Sequence, residues 1–244
     1  MTRERDLDVD AALEAVAGAP PPAPPLLSPE LEASLSDLAA TPMRRPRRQL
    51  AVLAAVSLVY GAGLLWVLAT RRDLDELPMG WLVATALGWL LGFLVPSYLA
   101  LAPRPGAVSP RWQLAAIAAV VASVGFVALG LAIHPMGPSS WHYGLERFGH
   151  GHTCLEIGLA AAVVPVVIGA IFLRGALPVG ARWVAAALGA GGGCLGGLVL
   201  HLHCGVADGL HVGLVHGGVV VAAAALSAAI VPRTTDGRAL SSRA

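Results

Sequence analysis

Six apolar runs, each about 20 residues long, dominate the sequence and leave few folds open to it. They fall at residues 50–70, 80–102, 112–133, 154–173, 182–203 and 210–231. A run of that length with almost no charge crosses the hydrocarbon core as a helix, because a helix satisfies its own backbone polar groups in lipid. The runs do not alternate apolar and polar residues, which excludes the strands of a membrane barrel. Composition agrees: 56% hydrophobic and 13% charged is too apolar for a soluble domain of 244 residues. The predicted fold class is all-α, a polytopic six-helix transmembrane bundle over residues 50–231. An N-terminal tail, 1–49, and a short C-terminal tail, 232–244, flank it.

Orientation follows from the basic residues, all 16 of which are arginine. Arg44, Arg45, Arg47 and Arg48 precede the first run, Arg104 and Arg111 separate the second from the third, and Arg174 and Arg182 separate the fourth from the fifth. Arg233, Arg238 and Arg243 follow the sixth, whereas the opposite side holds only Arg71, Arg72 and Arg147. Basic residues concentrate on the cytoplasmic side, so both termini are expected inside. The arginines at 44–48 read as a topology anchor in the lipid bilayer rather than a nucleic-acid patch. Residues 1–49 are charged and proline-rich and lack the apolar core of a cleavable signal peptide.

Within the tail, residues 1–17 are acidic and alanine-rich, and residues 18–25 (GAPPPAPP) form a stiff extended spacer. Ser28-Pro29-Glu30 then supplies a helix start, with an N-cap, a proline at the first helical position and an early acidic residue. Leu27, Leu31, Leu35 and Leu38 follow at helical spacing. The pattern predicts a short amphipathic helix that docks on a partner groove or lies on the membrane surface. Its acidic polar face argues against lipid, since surface-seeking helices usually carry basic ones.

The outer side collects the chemistry. Two clusters, His150-Gly151-His152-Thr153-Cys154 and His201-Leu202-His203-Cys204, sit at the edges of the fourth and fifth runs. His134, His142 and His211 share that layer, Asp208 lies in the turn between the fifth and sixth runs, and Glu156 lies just inside the fourth. Trp141, Leu145 and Phe148 suggest an interfacial turn in the longest outer loop. His216 is expected about a turn and a half deeper in the sixth span. Imidazole with thiolate suits a soft or borderline divalent metal such as zinc or copper. The candidate ligands are His150, His152, His201, His203, His211, Glu156 and Asp208 beside the cysteines. A bridge between Cys154 and Cys204 is the competing chemistry in an oxidising compartment, and both stay open at this point. Cys194 falls mid-membrane within the glycine-rich stretch 189–197, where it reads as a small packing residue in a span built for close approach.

Cys154-Leu155-Glu156-Ile157, Leu173-Arg174-Gly175-Ala176 with Pro178, the small-residue stretch 189–197, and Leu202-His203-Cys204 fifty residues after the first cysteine form a set. Together they resemble the NrsF-like family of bacterial membrane anti-sigma factors. Leu35-Ser36-Asp37-Leu38 and Pro42 ahead of the arginines are similar to the segment such proteins place before their first span. The resemblance implies a multi-pass protein of the bacterial inner membrane, N-in and C-in, whose tail holds an extracytoplasmic-function (ECF) sigma factor. It implies partner-binding roles for Leu27, Leu31, Leu35, Leu38 and Pro42. It also implies that Cys154 and Cys204 help sense the stress that releases the sigma factor. Two departures, Gly205-Val206-Ala207-Asp208 after the second cysteine and histidines at 211 and 216, favour a metal-responsive version.

The expected function is therefore a non-enzymatic regulator. The alternative is a metal-binding or metal-transporting membrane protein using the same cluster, against which the span centres carry almost no charged groups. Histidines are lacking on the inner side, which argues against transmembrane electron transfer through haem. The chain shows no motif-supported Ser/His/Asp arrangement for hydrolysis.

Overall fold

The computed structural model describes residue 28 and residues 45–102, 111–133, 151–174 and 180–235. The tail positions Leu27, Leu31, Leu35, Leu38 and Pro42, and His134, His142 and His150 of the longest outer loop, lie outside the described residues, as do Trp141, Leu145 and Phe148. Among the described residues all regular structure is helical. The helices are α1 (Pro46–Leu68), α2 (Met79–Leu101), α3 (Arg111–Ala132), α4 (Gly151–Leu173), α5 (Ala181–His203) and α6 (Gly217–Thr235). A π-helical segment, His211–His216, leads directly into α6. Six helical segments are long and apolar enough to cross a membrane, the sixth running His211–Arg233. At 1.5 Å per residue, a helix of 23 residues is about 35 Å long, enough for a hydrocarbon core of about 30 Å.

Helix ends depart from the apolar runs where local backbone rules allow it. α1 begins at Pro46, ahead of the expected apolar start, because proline fits the first turn and helix formation continues through Arg47 and Arg48. α4 begins at Gly151, so Cys154 lies within its first turn.

α5 is the centre of the bundle. Its apolar window is 89% buried, against 17% for α1 and 28% for α2 and α4. The glycines make this possible. A Cβ built on Gly193 would lie 2.6 Å from the Val220 Cα, and one on Gly196 would run into the Gly158 carbonyl. Without a hydrophobic driving force between helices in lipid, such backbone approach is what holds a bundle together through van der Waals contact. Trp89 fills the groove beside Gly197 and stacks on Phe126 at 4.0 Å, tying α2 to α3. Cys194 is fully buried in this core, beside Gly92. The outward faces of α1 to α4 carry exposed Val59, Leu91, Val121 and Val167, as lipid-facing surfaces should.

Candidate thiol and imidazole site

Four side chains converge at the end of the bundle where α4 begins and α5 ends. Cys154 comes from the first turn of α4, and Cys204 caps α5, its N–H donating to the Leu200 carbonyl at 2.7 Å. The chain then turns through Asp208, whose carboxylate Oδ1 accepts from the His211 N–H at 2.9 Å and so caps the last span. His211 and His216 open that span, with ring centroids 5.1 Å apart and edge to face. Gly151 and Gly158 let α4 press against Val215 and Val219, which brings Cys154 to the pair.

The Cys154 and Cys204 sulfurs are 3.7 Å apart, and Cys204 Sγ is 3.5 Å from His211 Nε2. All four ligand atoms, one each from Cys154, Cys204, His211 and His216, lie within 4.8 Å of one another. A tetrahedral ion about 2.3 Å from sulfur and about 2.05 Å from nitrogen sets edges of about 3.8 Å for S···S and about 3.5 Å for S···N. The 3.7 Å sulfur–sulfur and 3.5 Å sulfur–nitrogen separations already match those edges. A disulfide would need the sulfurs to close to about 2.05 Å, and both are free thiols at this separation. Cys204, His211 and His216 are buried and Cys154 is half-buried. The hydrogen bond from the Cys154 thiol holds the Cys204 thiol well below its ordinary range. Burial opposes that shift, while His211 and His216 reinforce it. A thiolate at Cys204 is the form that ligates metal or attacks an oxidant.

The remaining sequence candidates are placed elsewhere. His201 is buried, donates from Nε2 to the Leu82 carbonyl at 3.2 Å, and stacks edge to face on Trp81. His203 donates from Nδ1 to the Ala69 carbonyl at 2.7 Å. His152 and Glu156 are exposed on α4 and stand apart from the four-residue group, and Asp208 acts at the helix start described above. His216 is the member that spacing alone leaves out. In an α-helix, residues five apart point about 140° apart, whereas the i→i+5 bonding of a π-helix stacks them on one face. The glycines at 213 and 217, close to α3 at Leu131 and Val127, are the one sequence sign of irregular backbone there.

Beside this group lies a second polar constellation. Arg71 is buried, and its guanidinium meets the Asp73 carboxylate through two bonds of 2.7 Å. Its Nη1 reaches the His201 carbonyl at 3.4 Å, and its backbone N–H donates to the Leu202 carbonyl at 2.9 Å.

A family model described as "NrsF: Negative regulator of sigma F" matches residues 35–235. No curated protein and no solved structure matches the chain.

Proposed function

From the premise that the chain belongs to the NrsF family, negative regulators of sigma F, we propose that it is a membrane-bound anti-sigma factor whose Cys154/Cys204/His211/His216 site receives the releasing signal. The protein sits in the bacterial inner membrane with both termini in the cytoplasm, as the arginine distribution favours. Its tail holds an ECF sigma factor through Leu27, Leu31, Leu35, Leu38 and Pro42, away from RNA polymerase. It performs no catalysis of its own.

The observation that carries this reading is the mutual approach of four soft-metal ligands at one end of the bundle, drawn from α4, α5 and the start of the last span. A zinc or copper ion bound there releases the thiol protons and fixes three elements relative to one another. The ion shifts the protein only by as much as it prefers one bundle arrangement, so sensing requires a site assembled differently in the sigma-holding state. Its position at the bundle end suits a receptor better than a carrier, whose sites lie near the midplane. The 3.7 Å sulfur pair also favours a thiol-oxidation version of the same signal, in which an oxidant takes two electrons and two protons and the Cys154–Cys204 bond forms.

Capture tests the first half of the proposal. Full-length protein purified in detergent from unstressed cells is expected to retain a sigma factor, and a version lacking residues 1–42 to lose it. Recovery of no sigma factor with the full-length chain would contradict it.

A further inference from the structure

We propose that Arg71 and His203 are positioning residues that carry the state of the Cys154/Cys204 site to α1, and through α1 to the N-terminal tail. This rests on the reading of that site as the signal receiver.

α1 is the helix that the tail enters, and it is the least embedded of the six, 17% buried in its apolar window. A helix so thinly packed moves with little loss of contact. Its end nearest the site is nevertheless fastened at several points, all on the last turn of α5. His203 Nδ1 donates to the Ala69 carbonyl, the Arg71 N–H donates to the Leu202 carbonyl, and Arg71 Nη1 reaches the His201 carbonyl. Residues 201–203 immediately precede Cys204, so the ties attach to the turn that the site itself ends.

Two features set these ties apart from ordinary helix contacts. Ala69, the residue just after α1, has φ 65° and ψ 155°, and among the described residues no other non-glycine has positive φ. That region is nearly exclusive to glycine, and a residue stays there only when its surroundings hold it. Here the holding group is His203, which donates to the Ala69 carbonyl. Arg71 is likewise buried as a charge, which is tolerable because the Asp73 carboxylate meets it with both oxygens. Farther along, Tyr60 donates to the Ala160 carbonyl of α4, and Gly61 allows α1 to touch Val199 of α5. α1 therefore rests on the two helices that carry the cysteines, and a change in their separation reaches it at both.

The test uses full-length protein in lipid nanodiscs, zinc alone as the probe, and two readouts: zinc binding, and trypsin cutting after Arg44, Arg47 and Arg48 resolved by mass spectrometry. In the wild type, zinc is expected to change the cutting rate by about fivefold or more, the lower end of ordinary coupling between two sites. His203→Ala and Arg71→Gln should bind zinc as the wild type does and lose that change. His203→Asn, whose amide nitrogen donates from nearly the position of Nδ1, should keep it. Variants that bind zinc and still change their cutting as the wild type does overturn the route while leaving the proposed function standing. Loss of zinc binding in both His203→Ala and Arg71→Gln also overturns it, since these residues would then merely build the site. A wild type that takes no zinc, or whose tail ignores the filled site, overturns the zinc-released version of the proposed function and the route together, while sigma-factor retention stands or falls by the capture experiment.

Discussion

At the scale of single residues, the site depends on Cys204, which touches both the Cys154 sulfur and the His211 ring. His216 completes the group only because the helix opens with π geometry. If the four-residue set is the metal site, His216→Ala should weaken zinc binding by at least about 100-fold, beyond the usual effect of an outer-shell partner. His152→Ala, on the exposed side of α4, should leave it unchanged. Competition with a chromogenic chelator checks both. The cysteines and His211 are legible in the sequence as soft ligands at span edges. His216 is legible as a histidine deeper in the last span, but its shared face with His211 is not, because that depends on a helix turn whose width the residue pattern does not announce. Asp73 makes a separate prediction. Its hydrogen bonds from Arg71 hold its carboxyl below the ordinary value of 3.8. A lowered folded pKa gives stability that is present above 3.8 and is lost as pH falls through the folded value. Acid unfolding in detergent should therefore show a loss below about pH 4 that Asp73→Asn lacks, the variant being weaker already at neutral pH.

At the scale of elements, α5 organises the molecule because its glycines allow backbones to touch on several sides. Gly196→Ala would drive a methyl into the Gly158 carbonyl, and it should cost about 1–3 kcal/mol, as overpacking does. Gly63→Ala on α1 meets nothing within 4 Å and should be neutral. Unfolding midpoints of the two variants in the same detergent measure the difference. The existence of all six helices is readable because lipid demands long apolar runs. Their order of burial is not, since α5 is the least apolar of the six spans and yet packing buries it most. The stretch 189–197 did announce close approach, and α5 makes that approach against α2, α4 and the last span. Ala69 shows the other limit. Nothing in the local sequence predicts positive φ for an alanine, and the contacts that meet this turn, from His203 and the Leu202 carbonyl, come from α5.

At the scale of the whole molecule, the thiol and imidazole site and the start of α1 lie at opposite ends of the bundle. Cys154, Cys204, His211 and His216 lie where α4 begins and α5 ends, and α1 starts at the opposite end behind Arg45, Arg47 and Arg48. Cations at a helix N-terminus oppose the helix dipole, so these arginines are not there to stabilise α1. Under the proposed topology, their role is to hold the tail side in the cytoplasm. In the proposed function, occupation of the site at one end loosens the hold on a sigma factor at the other. The most direct measurement is sigma-factor retention on full-length protein in nanodiscs as zinc is added, compared with the Cys154→Ser/Cys204→Ser variant. Zinc is expected to release the sigma factor from the wild type and to leave it bound to the variant. Release that is equal in the two, or absent from a wild type that has taken up zinc, would contradict it.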